Sequence, residues 1–167
     1  MAHRHTGAVP QRPEQRVIAR HKRAAHDYDL GERYEAGIVL TGTEVKSLRE
    51  GRASLAEGWV ALEPDGAWLH GVHIPEYSQG TWNNHSVRRP RRLLLRAAQL
   101  DRISRRLAEG GFTMVPLSLY FSGSWAKVEV AVARGKRDHD KRQALRERQD
   151  RLDAERVIAA HRRRHAR

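Results

Sequence analysis

The chain has 167 residues, 39% hydrophobic and 31% charged, with a formal net charge of +12 and no cysteine. That composition fits one domain of ordinary size; it excludes disulfides and thiolate metal sites, and no apolar run reaches the roughly 18 residues of a membrane span. The charge is uneven: residues 1–24 hold six Lys/Arg against one acid and residues 135–167 twelve against six, leaving fourteen against thirteen between them. A near-neutral body with two basic ends gains energy beside a polyanion, so nucleic acid is the leading partner. A membrane surface is disfavoured, because the C-terminal segment has no aromatic residue for an interfacial helix. No apolar segment follows the charges of the N-terminus, so a cytoplasmic protein is expected.

Residues 1–24 mix Gly7, Pro10 and Pro13 with scattered Arg and His, and read as a flexible arm. A short apolar strand runs over residues 35–40. Thr41 and Glu44 then have the spacing of a capping box, opening a short helix whose Val45 and Leu48 share a face, and Gly51 ends it. Residues 59–62 and 67–74 flank Pro64, Asp65 and Gly66, a hairpin signature. Residues 75–90, rich in Ser, Asn, Gly and His, read as an exposed loop. Residues 91–95 lead into a helix in which Leu100, Ile103 and Leu107 keep 3/4 spacing, stopped at Gly110 and Gly111. A second hairpin, residues 112–121 and 127–133, turns at 122–125. Val128, Val130 and Val132 alternate along it as on a strand with one buried face.

About five strands with helices between them predict a mainly β fold: a closed Greek-key barrel of the oligonucleotide-binding type over residues 25–134. Beyond Gly135 the β pattern stops. Leu145, Leu152 and Ala159 recur at heptad spacing and Glu147 and Arg151 are i,i+4 neighbours. The apolar stripe is thin, so residues 135–167 are expected to lack structure alone and to become helical on a partner.

No catalytic motif emerges. The close pairs His3/His5, His70/His73 and His161/His165 lack a third ligand of suitable spacing, and hydrolase, Walker and dinucleotide signatures are absent. No cofactor and no metal are implied. Arg88, Arg89, Arg91 and Arg92, with Arg96, Arg102, Arg105 and Arg106 beyond them, form a basic stripe that reads either as a solvated face or as a phosphate-tracking surface. Trp82 and Tyr77 stand near it as possible base-stacking groups. Glu35 stands out as an acid beside apolar residues, set either to pair with Lys127 or Arg49 or to accept hydrogen bonds from RNA.

Several segments together resemble the small protein B family, the bacterial partner of transfer-messenger RNA. They are residues 26–28, 34–51 with Val45-Lys46-Ser47-Leu48-Arg49, 92–95, 115–121, and 135–142 ending in Asp140-Lys141-Arg142. The resemblance covers residues 22–158. It implies a binding adaptor without enzymatic activity. Such an adaptor grips the tRNA-like domain of transfer-messenger RNA and helps bring it, alanine-charged and with elongation factor Tu, to stalled ribosomes. The tail would become helical in the empty messenger channel near the decoding centre, among the rRNA of the small subunit. Matched by position, the resemblance implies RNA contacts at His26, Glu35, Lys46, Arg49, Arg92, Leu94 and Lys127. In the tail it implies ribosomal contacts at Gly135, Lys136, His139, Asp140, Lys141 and Arg142, with Val157 and Ile158 seating the helix. From the residues alone, a structural ribosomal or assembly protein with basic extensions is the alternative.

Overall fold

The computed structural model describes residues 14–80 and 82–165, and the backbone alone at Asp138, His139, Arg164 and His165. Its strands are β1 (Gln15–Arg20), β2 (Tyr28–Ile38), β3 (Trp59–Glu63), β4 (Gly66–His70), β5 (Arg91–Leu94), β6 (Phe112–Ser122) and β7 (Trp125–Gly135). Helices α1 (Ala24–Asp27), α2 (Gly42–Arg49), α3 (Ala97–Ala108) and α4 (Asp138–His165) interrupt or follow them. None is long and apolar enough to cross a membrane.

The pairing runs β6–β3–β4–β5–β2–β7, and β7 pairs back to β6, so the antiparallel sheet closes on itself. Closure removes the exposed edges an open sheet would carry. The seam is narrowest where β3 meets β6 through Val60 and Met114 alone. Alternation explains the interior: Tyr34, Ala36 and Ile38 of β2 and Val128, Val130 and Val132 of β7 all point into the core, with Leu69, Leu93, Met114 and Leu119. On the outer side of β6 and β7 a smaller cluster of Ala24, Val115, Leu117, Ala131 and Ala133 seats α1. The small alanines let that helix lie close to the strands.

Four sequence expectations change. Among the described residues seven strands are present rather than about five. The extra N-terminal one, β1, lies within the segment read as a flexible arm; residues 1–13 of that arm lie outside the described residues. Among the described residues β1 pairs only with β6 and has two partly buried side chains, so its order comes from main-chain hydrogen bonds that leave no hydrophobic period. Residues 91–94 are strand rather than a lead-in to α3, their Arg91 and Leu93 buried and Arg92 and Leu94 exposed.

The loop at 75–90 is clamped rather than free. Buried His85 joins Thr43 Oγ1 and the Ile74 carbonyl, each at 2.9 Å. Ser47 Oγ donates to the Pro75 carbonyl at 2.6 Å. The fourth change is the tail, read as unstructured alone: α4 is one 28-residue helix whose described side chains stand mostly in solvent. Its i,i+4 links include Gln143 to Glu147 at 3.1 Å and Gln149 to Asp153 at 2.9 Å, pairs other than the Glu147 and Arg151 noted in the sequence.

Candidate nucleic-acid interface

The register of the barrel places five residues in one row across its outer face: Val17, Tyr120, Lys127, Gly37 and Leu94, each paired with the next. Glu35, two residues before Gly37 on β2, shares this face. Lys127 Nζ lies 2.7 Å from Glu35 Oε1, and the Tyr120 hydroxyl donates to Oε2 of the same carboxylate. These bonds hold the Glu35 carboxyl below its usual range, Lys127 contributing first and Tyr120 second. Burial, reinforced by the carboxylate, pushes the Tyr120 phenol up, so it remains a proton donor.

Of the two pairings open to Glu35 in the sequence, the structure chooses Lys127. Tyr120 carried no signal of its own in a run of buried residues, and only the β6–β7 register reveals it.

Beside this polar triad the surface is apolar. Leu94 is 56% exposed. It rests against bare backbone at Gly37, where an added Cβ would lie 3.2 Å from the Leu94 Cβ. Val39 and Trp125 are exposed too. A groove of about 300 Å³ opens alongside, lined by Val17, Arg20, Arg33, Glu35, Tyr120 and Glu129. Arg33 is held to Glu129 at 3.2 Å. A fixed ammonium and phenol, an exposed leucine and flanking guanidiniums together offer hydrogen bonds to phosphate and base edges and an apolar rest for a base or ribose.

The remaining expected RNA contacts lie elsewhere. Arg92 follows on β5, but its guanidinium is hydrogen-bonded to the Asp65 carbonyl at 2.6 Å. Lys46 sits on α2 over the ring of Tyr77, 5.5 Å from its centroid. Arg49 lies at the end of the same helix, its carbonyl accepting from Arg16 at 3.1 Å. His26 is on α1, its Nδ1 3.1 Å from Asp27, and this bond is the first cause of a lowered Asp27 pKa. Thus Glu35, Leu94 and Lys127 come together, while Lys46, Arg49 and His26 belong to neighbouring helices. Trp82 is almost wholly exposed.

The basic stripe needs correction. Arg91 is fully buried, its Nε bonded to the equally buried Glu44 and its other nitrogens donating to the Val72 and Val87 carbonyls at 2.8 and 3.1 Å. Arg89 Nε reaches the same carboxylate at 2.7 Å, and Arg88 pairs with Glu57. Burial pushes the Glu44 carboxyl up, but the two guanidiniums overcome it and hold the group low. Glu44 also closes the capping box, accepting from the Thr41 amide at 3.3 Å and its hydroxyl at 3.0 Å. Arg89 and Arg91 therefore fasten α2 to the barrel through Glu44, while Arg88 pairs outside that helix.

At the root of the tail, Gly135 is the last residue of β7 and pairs with Tyr28. Lys136 is largely covered: its amide and its Nζ donate at 3.0 Å to the carbonyls of Asp27 and Ala25. It caps the end of α1, a helix C-terminus that favours a cation. Asp140, Lys141 and Arg142 lie in the first turns of α4, and the side chain of His139 lies outside the described residues. Val157 and Ile158 are 70% and 54% exposed. Among the described residues no group of three His, Cys, Asp or Glu could hold a metal ion.

A closed antiparallel barrel with this face and an extended basic helix defines a small nucleic-acid-binding protein. The pattern of the family described as SmpB protein matches residues 18–160, and the chain belongs to that family. It is 60% identical over 145 residues to the SsrA-binding protein of Streptomyces coelicolor, covering 87% of this chain and 91% of that one. The SsrA-binding protein of Clavibacter michiganensis is 56% identical over 155 residues, covering 93% and 98%. A solved structure, described as tmRNA-SmpB on a journey to the center of the bacterial ribosome, matches with TM-score 0.62 and 40% identity, covering 77% of this chain and 94% of that chain.

Proposed function

We propose that this protein is an RNA-binding adaptor of trans-translation. It binds the tRNA-like domain of transfer-messenger RNA and brings it to stalled ribosomes for rescue and peptide tagging. Its partners are that RNA and the small ribosomal subunit, with elongation factor Tu engaged through the charged RNA. The observation that carries the reading is the Glu35–Tyr120–Lys127 triad beside exposed Leu94, on a barrel of a family whose curated relatives bind SsrA. We read the barrel as one of the oligonucleotide-binding type, and its role as recognition without catalysis.

Gly135, Lys136, His139, Asp140, Lys141 and Arg142 lead α4 into the vacant messenger channel, and Val157 and Ile158 supply the apolar pair that seats it. Two exposed apolar residues on a charged helix support this reading, because such a helix is marginal in water and gains order by docking.

The test is truncation after residue 137, with binding to the tRNA-like domain and tagging of a peptide on a stalled ribosome measured in parallel. RNA affinity should stay within a few-fold of the full chain while tagging is lost. Loss of RNA binding on truncation would refute the division of labour.

A further inference from the structure

β1 has two edges, and β6 takes one of them. The amide of His21, just past the strand, donates to the Leu117 carbonyl at 2.8 Å. Antiparallel alternation then turns the amide and carbonyl of Arg20, paired with Ser118, to the side away from β6. The bulge between Val17 and Ala19 blunts this second edge near its start, so regular backbone is offered from Ala19 onward.

Residues 53–56 form the facing wall. Ser54 exchanges both of its main-chain bonds with His73, at 2.9 and 3.0 Å, so the main-chain groups of Ala53 and Leu55 turn the other way. The Leu55 carbonyl accepts from the Gly58 amide at 2.9 Å; among the described residues neither group of Ala53 has a main-chain partner. Between the two walls lies a cleft of about 770 Å³. Val17, Ile18, Ala19 and Leu55 line its sides, and Arg20, Lys22 and Arg23 line the end next to α1. The acid among these lining residues, Asp27, is already engaged by His26 at 3.1 Å and by Arg23 at 3.8 Å.

Main-chain groups along an edge, small apolar sides and a cationic end suit one kind of occupant. An extended peptide can ladder against β1, set alternate apolar side chains beside Val17, Ile18 and Leu55, and bring carboxylates to the cationic end. A nucleic-acid backbone has no N–H to offer such a ladder. Residues 1–13 of this chain have the wrong character, with Arg4 and Arg12, no acid, and prolines at 10 and 13.

We propose that this cleft is a docking slot for an acidic, extended peptide segment of a partner protein, added as a strand on the outer edge of β1. Val17 and Arg20 also line the groove beside Glu35, so the docked segment lies along the border of the RNA face. The slot recruits protein and stands independently of the adaptor reading.

The test uses the full-length chain and a fluorescein-labelled octapeptide in which glutamate alternates with valine. Anisotropy should show saturable binding, weakened roughly tenfold when lysine replaces each glutamate, and by a similar factor in Lys22→Glu/Arg23→Glu. The same peptide N-methylated throughout keeps its charge but loses its donors, and should also bind about tenfold more weakly. Amide hydrogen exchange reads the binding mode. The Arg20 and Ala53 amides should slow by roughly tenfold with the peptide bound, an effect that loose ionic contact at the cationic end does not produce. Circular dichroism verifies the fold of the variant. Absence of saturable binding, equal affinity for the methylated peptide, or unchanged exchange at Arg20 and Ala53 overturns the slot. An oligouridine that slows the same two amides while the peptide does not assigns the cleft to nucleic acid, and overturns it as well.

Discussion

Replacing Arg91 with Met separates a structural arginine from an RNA-binding one. The change removes the Nε bond to Glu44 and the donors to Val72 and Val87, and leaves a carboxylate with no exposure facing only Arg89 and the Thr41 cap. Breaking one side of a buried pair costs about 3–5 kcal/mol. At about 2–4 °C per kcal/mol for a chain of this size, Tm falls by roughly 6–20 °C. Urea denaturation followed by far-UV circular dichroism measures the loss directly. Glu44→Met/Arg91→Met leaves no orphaned charge at that pair, so the single losses should fall short of adding by about 2 kcal/mol.

The pH dependence has a definite sign. Burial raises the Glu44 carboxyl, yet Arg91 and Arg89 bring it below its ordinary value. Its contribution is therefore present above the unfolded carboxylate pKa, about 4.3, and is lost as pH falls through the lower folded value. Variants lacking Glu44 lack that acid-side component. A loss below about 1 kcal/mol for Arg91→Met, or strict additivity in the double variant, would refute the reasoning.

Tyr120→Phe removes one donor to Glu35 while Lys127 stays, and should weaken tRNA-like RNA binding about three- to tenfold with an unchanged salt slope, read by fluorescence anisotropy. Gly37→Ala puts a methyl 3.2 Å from Leu94 Cβ and tilts the exposed leucine; RNA affinity should drop severalfold while Tm moves by less than about 3 °C. Lys136→Ala deletes the cap on α1 and should cost about 1 kcal/mol, with faster amide hydrogen exchange in α1 and in the first turn of α4.

What the sequence discloses and what it hides follow from how each feature is held. Val128, Val130 and Val132 announce β7 because burial imposes a period of two, and Thr41 with Glu44 announces α2 because capping fixes a spacing. β1 is silent because an edge strand needs main-chain partners more than buried side chains. Arg91 hides for another reason: in a run of arginines a buried one looks like its neighbours. Its alternation with Leu93 against exposed Arg92 and Leu94 was the available signal, but four residues are too few to weigh against so much charge. Glu35 and Lys127 could be paired by chemistry before the fold was known. Tyr120 could not, because its partner lies 85 positions away and only the strand register brings them together.

The junction at Lys136 fixes an origin as well as a joint. With that residue fastened to the carbonyls of Ala25 and Asp27, the 28-residue rod beyond it spans about 42 Å from a set starting point. Inserting a single residue early in the rod would rotate Val157 and Ile158 by about 100° and advance them about 1.5 Å, whereas seven would bring them back to nearly the same side two turns further out. The protein thus carries a ruler whose zero mark is built into the barrel.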